Sequence, residues 1–364
     1  MSGSARVVSS CCEVSGSPIA PALIAWHAKH GRHDLPWQLE RTPYRVWVSE
    51  IMLQQTQVAT VIPYFERFVQ RFPDAAALAA APLDEVLHLW SGLGYYARAR
   101  NLHRAALHIR DELGGRFPER FEEVAALPGV GRSTAGAILA LSRDERHPIL
   151  DGNAKRVLAR YFGIEGDPGS RVAAAQLWAR AQECTPHTDV ATYTQAIMDL
   201  GATVCVRRRP LCAGCPLEAR CIARHSGRQH ALPSPRAVRT RRERACFMLL
   251  ATREDGSVLL ERRPAHGIWG GLWCPPEFDE AAGAADFAAR RLACGSAKLK
   301  AQPSIRHALT HFDLAITPLR LACGARGELR TVLEGPEVIW YNPREPASVG
   351  LPAPVRILLE RLED

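Results

Sequence analysis

Four cysteines in the middle of the chain form the clearest chemical pattern in the sequence: Cys205, Cys212, Cys215 and Cys221. Because they lie close together along the chain, their thiolates can meet at one centre, and soft thiolate sulfur selects zinc or an iron-sulfur cluster. The spacing by itself leaves both open. The total of 11 cysteines is odd and the others are scattered, so no disulfide framework is expected. The sequence therefore predicts a metal-binding loop.

Three consecutive cations, Arg207, Arg208 and Arg209, lie inside the first interval of this cysteine pattern. Metal binding would hold them on a rigid loop where a phosphate could meet them. The alternative is an ordinary solvated run of charge. The chain as a whole carries 46 Lys and Arg against 38 Asp and Glu, a net charge of +8, which suits a polyanionic partner without requiring one.

Two carboxylates stand in surroundings that would separate their pKa values. Glu50 lies within the apolar run Trp47–Leu53, where burial on a helix would raise its pKa and suit it to act as a general acid. The alternative is a place on the solvent face of that helix. Asp151 precedes a helical run and can cap its N-terminus, which stabilises the carboxylate as an anion. Such a pair could supply one acid and one anionic stabiliser.

A glycine-rich turn, Leu-Pro-Gly-Val-Gly at residues 127–131, separates two stretches with helical periodicity. Its glycines, Gly129 and Gly131, would let backbone amides at the start of the second helix approach a phosphate. A plain connector between two helices is the alternative.

The elements that must position these residues change in character along the chain. Residues 19–204 show helical periodicity with short turns, and Thr42-Pro43 is a helix start. Residues 245–251 and 257–261 are predicted strands joined by a hairpin turn. The fold class expected is an all-α region followed by an α+β domain.

The domain organisation predicted from these changes has four parts. They are a flexible tail at 1–17, an all-α region at 18–222, a basic linker at 223–244 and an α+β domain at 245–364. Hydrophobic residues make up 47% and charged residues 23%, which excludes wholesale disorder and fibrous repeats. The apolar runs are too short for a membrane span of about 18 residues or more, and no secretory signal opens the chain. We expect a soluble, intracellular protein without membrane contact.

Five segments taken together resemble the adenine DNA glycosylases, the MutY family of the endonuclease III superfamily. They are residues 30–58, 92–102, 127–141 and 149–163 and the cysteine loop. The resemblance implies a helix-hairpin-helix glycosylase region with a 4Fe-4S cluster on the four cysteines, followed by a Nudix-like domain. It implies base excision repair: a monomer, cytoplasmic and nucleoid-associated if bacterial, that removes adenine mispaired with 8-oxoguanine or guanine in double-stranded DNA.

The resemblance also implies roles for individual residues. Glu50 would protonate adenine N7, Asp151 would face the sugar as positive charge develops, and Asn153 would support that site. Gln55 and Tyr95 would enter the helix around the extruded base and the lesion. The remaining implied contacts to the adenine pocket or the DNA are Arg32, Gln195, Gly129, Gly131 and Ser133. Bifunctional members have a lysine where Ser133 stands, so base removal by water without lyase activity is expected.

The C-terminal residues resemble the Nudix-like lesion-reading domain of the same family through Leu259–Pro264 and Gly267–Trp273. The stretch Arg290–Gly295 lacks the carboxylates with which a Nudix hydrolase holds Mg²⁺, so binding without hydrolysis is expected. Thr310 and His311 would contact 8-oxoguanine. Leu309 replaces the phenylalanine often found beside them in the family, so stacking at that position is not implied.

Two other functions compete with this interpretation. A non-catalytic DNA-lesion binder would not need both Glu50 and Asp151. A nucleoside triphosphate hydrolase run by the C-terminal half would need the missing carboxylates.

Overall fold

A computed structural model of the chain describes residues 17–234, 241–292, 299–323 and 336–363. The predicted tail at 1–16 and residues 235–240 of the predicted linker lie outside these ranges, as do residues 293–295 of the carboxylate-poor stretch. The helices of the described residues are α1 (Ala20–His30), α2 (Pro36–Leu39), α3 (Pro43–Leu53), α4 (Val58–Arg71), α5 (Ala75–Ala80), α6 (Leu83–Leu89), α7 (Ala97–Glu112), α8 (Phe121–Ala126), α9 (Arg132–Arg143), α10 (Gly152–Phe162), α11 (Arg171–Cys184), α12 (Val190–Thr203), α13 (Ile222–His225), α14 (Ala281–Arg291) and α15 (Ala353–Glu363).

Local signals in the sequence fix several helix ends. Helix α3 begins at Pro43, and the Thr42 hydroxyl accepts a hydrogen bond from the Arg45 amide at 3.2 Å, so the predicted start is confirmed. Helix α10 begins after Asp151, which caps it as predicted. That helix ends at Gly163, whose φ of 66° is in the left-handed region that glycine adopts without steric cost.

Packing divides the chain into two compact units. Unit 1 comprises residues 1–50, 119–126 and 130–236, and unit 2 comprises residues 51–118, 127–129 and 237–364. The domain boundaries drawn from the sequence stay a prediction. In unit 1, helix α12 packs against α1, α9 and α10 and so forms the centre of the helical core. Buried apolar side chains fill this core, among them Leu23, Ile138, Leu158, Ile197 and Leu200.

The helices of unit 2 pack around fully buried aromatic rings. Phe68 lies edge-on to Phe72 and Trp90, with ring centroids 5.0 and 5.9 Å apart. Helix α7 packs against α5 and α6, which completes this helical part of unit 2.

Unit 2 also contains a mixed sheet with the strand order β3-β2-β1-β7-β5. Its strands are β1 (Arg242–Thr252), β2 (Val258–Arg262), β3 (Trp273–Cys274), β4 (Glu277–Phe278), β5 (Lys300–Ala301), β6 (Ile305–Ala308), β7 (Phe312–Ala322) and β8 (Val338–Tyr341). Strands β1 and β7 are parallel along their whole length, and the other pairs are antiparallel. The all-α region followed by an α+β domain is thereby confirmed.

The predicted β1–β2 hairpin is present. Gly256 has a φ of 81° and the Ser257 amide donates to Asp255 Oδ1 at 2.9 Å, so the turn residues do what their types predict. Strand β1 begins at Arg242, inside the stretch interpreted as linker. No helix of the described residues is long and apolar enough to cross a membrane.

Candidate active site

The predicted acid, Glu50, lies in α3 and is largely enclosed by protein. Desolvation and, after it, the negative charge of Asp151 raise the pKa of Glu50 to about 8. A carboxyl group in this state is mostly protonated at neutral pH and can donate its proton. The alternative that Glu50 sits on a solvent face does not fit this environment.

Asp151 is held in the opposite way, as an acceptor. Its Oδ1 accepts from the Ala154 amide at 2.7 Å and its Oδ2 from the Asn153 amide at 3.1 Å, at the N-terminus of α10. The free backbone N–H groups and the positive end of the dipole at a helix N-terminus suit a carboxylate as their hydrogen-bond acceptor. The structure thus brings together two carboxyl groups that are far apart in the sequence, Glu50 set up to hold a proton and Asp151 placed as a hydrogen-bond acceptor.

Asn153 is fixed by an arginine that sequence reasoning missed. Arg156 Nη2 donates to Asn153 Oδ1 at 2.8 Å and to the Gly201 carbonyl at 2.6 Å, while its Nε donates to the Cys205 carbonyl at 2.7 Å. Helix α12 approaches closely here, because a Cβ on Gly201 would come within 2.5 Å of the Asn153 Cβ. Arg156 therefore links the predicted catalytic asparagine to the start of the cysteine loop.

Arg32 and Gln195, predicted to lie near the adenine pocket, meet on a buried carboxylate, Asp199. Arg32 donates to Asp199 Oδ1 through Nε at 2.9 Å and through Nη2 at 2.5 Å, and its amide donates to Oδ2 at 2.8 Å. Gln195 Nε2 donates to Oδ1 at 2.8 Å, and His27 Nε2 lies 3.4 Å from Oδ2. Asp199 thereby orients both predicted pocket residues.

Asp199 is fully buried, and sequence reasoning missed it. Burial raises its pKa, but the adjacent His27 and Arg32 groups outweigh burial and hold the pKa below its ordinary value. The signal available was one carboxylate in the mostly apolar helix α12, four residues after Gln195 and so on the same helical face.

The glycine-rich turn lies between α8 and α9, as predicted. Gly129 has a φ of 80°, and a Cβ there would come within 2.8 Å of the Asn101 Cβ. Gly131 caps α9 and has open space around its Cα. The Ser133 hydroxyl accepts from the Leu150 amide at 2.8 Å, so in this structure it fixes the residue before Asp151.

In unit 2, Gln55 and Tyr95 share a pocket of about 860 Å³ with Thr310 and His311. Thr310 and His311 are exposed in the turn between β6 and β7, which the Leu309 amide closes by donating to the Phe312 carbonyl at 2.9 Å. Hydrogen bonds join α7 and its N-cap residue, Tyr96, to segments of the C-terminal part of unit 2. They run from Tyr96 Oη to the Leu351 carbonyl at 2.9 Å and from Arg100 Nη1 to the Gly270 carbonyl at 2.7 Å.

Comparison with known proteins now identifies the family. Residues 48–183 match the family model of the HhH-GPD superfamily base excision DNA repair protein, and residues 247–361 match that of the NUDIX domain. An adenine DNA glycosylase of Buchnera aphidicola subsp. Acyrthosiphon pisum (strain APS) is 38% identical over 341 residues, covering 94% of this chain and 96% of the relative. The chain belongs to the adenine DNA glycosylase family.

Two further comparisons agree with this membership. The human adenine DNA glycosylase is 46% identical over 220 residues, which are 58% of this chain and 40% of the human protein. A solved thermostable thymine-DNA glycosylase superposes with a TM-score of 0.53 at 26% identity, covering 57% of this chain and 95% of that one. The chain is therefore a DNA glycosylase of base excision repair that hydrolyses N-glycosyl bonds to adenine. This decides against the non-catalytic lesion binder raised from the sequence.

The four cysteines of this glycosylase line one small cavity after α12. All four are free thiols. Arg160 reaches in from α10, donating through Nη1 to Cys205 Sγ at 3.3 Å and to the Val206 carbonyl at 2.8 Å, and through Nε to the Leu232 carbonyl at 2.9 Å. As the side chains are placed, no group of three or more His, Cys, Asp or Glu residues in the described ranges could hold one metal ion. The kind of metal centre stays a prediction.

The three loop arginines, Arg207, Arg208 and Arg209, are exposed. They line a pocket of about 600 Å³ together with Arg156 and Arg160. The charges of these three exposed side chains suit an anionic partner such as a phosphate.

Proposed function

We propose that this glycosylase removes adenine paired with 8-oxoguanine or guanine in duplex DNA, with Glu50 as the acid and Asp151 as the anionic stabiliser. The observation that carries the proposal is the contrast between these carboxyl groups. The pKa of Glu50 is raised to about 8, whereas Asp151 accepts two backbone amides at a helix N-terminus. A carboxyl group that keeps its proton, beside a second one that can face the developing positive charge, is what acid-assisted cleavage of a glycosidic bond requires.

The reaction follows from these two states. Glu50 transfers its proton to adenine N7, which makes the base a better leaving group. The bond between C1′ of the sugar and N9 then breaks, its electron pair stays on the base, and adenine departs neutral. The sugar is left as an oxocarbenium-like cation, which the carboxylate of Asp151 stabilises. Water adds to C1′ and gives up one proton to the Glu50 carboxylate, which restores the acid.

Before this chemistry the adenine must leave the helix, at a cost of a few kcal/mol for unstacking and unpairing. We propose that Gln55 and Tyr95, both exposed, occupy the space it vacates. The glycine-rich turn and the loop arginines would bind phosphates, which hold the enzyme on DNA without reading the sequence. Thr310 and His311 would supply hydrogen bonds to 8-oxoguanine.

We further propose a 4Fe-4S cluster held by Cys205, Cys212, Cys215 and Cys221. The number and type of donors suit the cluster, because four free thiols line one cavity and such clusters take one cysteine sulfur per iron, although binding would require these side chains to turn toward one centre. A cluster would bind these cysteines as thiolates. When bound, the cluster would fix the loop that carries the arginines.

The proposal is tested by single-turnover release of adenine from duplexes with adenine opposite 8-oxoguanine, guanine or thymine. We expect release opposite the first two and none opposite thymine, with strand breaks only after alkali because Ser133 supplies no amine. The Glu50→Gln variant should release no adenine, although it should still bind the same duplex. Near wild-type release by Glu50→Gln would overturn the assignment of the acid.

Two properties of the purified protein complete the test. It should be yellow-brown, with about four irons per chain, and its mass in solution should be that of one 40.1 kDa chain. Active colourless protein with one zinc would contradict the proposed cluster.

A further inference from the structure

Three non-glycine residues with left-handed backbone line the large pocket of unit 2. Gln55 has a φ of 58°, Tyr95 of 48° and Trp269 of 55°. Backbone in this region is unfavourable for residues with a side chain, and it persists only where surrounding contacts enforce it. Gln55 and Tyr95 lie on short turns, after α3 and before α7. Because these turns are not part of a helix or strand, contacts from outside each turn must enforce the conformation.

One buried side chain, Arg98 in the first turn of α7, supplies contacts to both turns. Its Nη1 donates to the carbonyls of Ile51, Met52 and Gln54 at 3.0, 2.7 and 2.6 Å. These are carbonyls of the last turn of α3 and of the residue before Gln55, which the end of a helix leaves without partners. Arg98 therefore caps α3 and holds the backbone immediately before Gln55.

The other terminal nitrogen of Arg98 completes the first turn and reaches the second. Nη2 donates to the Thr56 hydroxyl at 3.1 Å and to the carbonyls of Gly94 and Leu93 at 3.2 and 3.4 Å. Gly94 directly precedes Tyr95. One guanidinium group thus binds the residues on both sides of Gln55 and the residue before Tyr95.

The surroundings of Arg98 show that this group serves no partner outside the protein. The residue is only 8% exposed, and its guanidinium carbon lies 5.5 Å from the centre of the Trp90 ring and 5.4 Å from that of Tyr95. Burying a cation without a carboxylate partner is costly, and this cost is offset by two aromatic rings and by four terminal N–H groups shared among six acceptor oxygens. Arg98 therefore holds the backbone of the two turns in one defined geometry.

We propose that Arg98 is a positioning residue that fixes Gln55 and Tyr95 relative to each other, so that both can enter the DNA helix together. The inference rests on the proposed function, since it assigns Arg98 a task in extruding the base. Lysine could not replace it, because an ammonium group has three donors on one atom, whereas the planar guanidinium spreads its donors over two terminal nitrogens that face different turns.

The test compares Arg98→Lys and Arg98→Met with the same two substitutions at Arg110. Arg110 is a control in the same helix, far from both turns. It is exposed and paired with Asp111, and its Nη1 also donates to a carbonyl, that of Ala79, at 2.9 Å. Single-turnover adenine release is measured opposite 8-oxoguanine. Active-site titration corrects for any misfolded fraction.

Arg98→Lys should slow adenine release by about tenfold, in keeping with the loss of one or two strong hydrogen bonds. Arg98→Met should slow it by more. Both Arg110 variants should stay within about threefold of the wild-type rate. Extrusion is read directly with 2-aminopurine in place of the target adenine, opposite 8-oxoguanine. Its fluorescence should rise when the wild type binds and rise less with Arg98→Lys at equal occupancy.

A double-mutant cycle separates positioning from general stability. If Arg98 acts through the two side chains, adding Arg98→Lys to the Gln55→Ala/Tyr95→Ala variant should cost no more than about threefold further. The inference would be overturned if the rate losses of Arg98→Lys and of Gln55→Ala/Tyr95→Ala multiply in the combined variant. It would also be overturned if the fluorescence rises with Arg98→Lys as much as with the wild type. A Gln55→Ala/Tyr95→Ala variant with wild-type activity would overturn it as well. Failure of the proposed function itself is distinct, because the wild type would then release no adenine in the first measurement.

Discussion

The protonation state of Glu50 predicts a specific dependence of the chemical step on pH. With a pKa of about 8, the acid form dominates at pH 7 and falls to about one-tenth at pH 9. Single-turnover release should therefore be level between pH 6 and 7 and fall by about tenfold between pH 7 and 9. A carboxyl group with the ordinary glutamate pKa of 4.5 would instead give a tenfold loss per pH unit throughout this range.

Asp151→Asn adds a second measurement with a defined sign. Part of the raised pKa of Glu50 comes from the negative charge of Asp151. Removing that charge should shift the falling limb to lower pH, in addition to slowing release at every pH because the cationic sugar loses its anion. Binding of the same duplex, followed by fluorescence anisotropy at each pH, separates this effect from weaker association.

Stability should change with pH in a related way. Because folding raises the pKa of Glu50, the stability tied to its protonated form is present below pH 4.5 and is lost as pH rises to about 8. Glu50→Gln should remove this loss, a difference on the order of a few kcal/mol in the free energy of unfolding.

For the rate of adenine release, a profile that is flat from pH 6 to 9, or that rises, would refute the assignment of Glu50 as the acid.

Three further perturbations test other parts of the site. Asp199→Asn should lower the free energy of unfolding by about 3 kcal/mol at pH 7, because it removes the buried carboxylate that pairs with Arg32. Urea unfolding would measure this change, and a loss below about 1 kcal/mol would contradict the argument. Arg156→Met should slow adenine release about tenfold through Asn153 while keeping the colour of the cysteine loop, whereas bleached protein would mean that the arginine serves the loop first. Thr310→Ala with His311→Ala should slow release opposite 8-oxoguanine more than opposite guanine, by about 1 kcal/mol for each lost hydrogen bond, and equal slowing would remove these residues from lesion reading.

The sequence by itself determined the features that depend on neighbouring residues. Thr42-Pro43 starts a helix, Asp151 caps one and Asp255-Gly256 turns a hairpin, because each uses hydrogen bonds or backbone angles available within a few residues. The cysteine spacing and the glycine-rich turn are local in the same sense. For this reason the fold class and the candidate carboxylates could be predicted before any coordinates.

What only the tertiary structure decided are properties that sum contributions from distant parts of the chain. The pKa of Glu50 depends on desolvation and on Asp151, and the partners of Asp199 come from α1 and α12 as well as the turn that holds Arg32. In the sequence, nothing distinguishes Arg98 from the other arginines of its helix. Its role appeared only when two turns about forty residues apart presented their carbonyls to it, since burial and hydrogen bonding across the chain follow from packing, which no local pattern encodes.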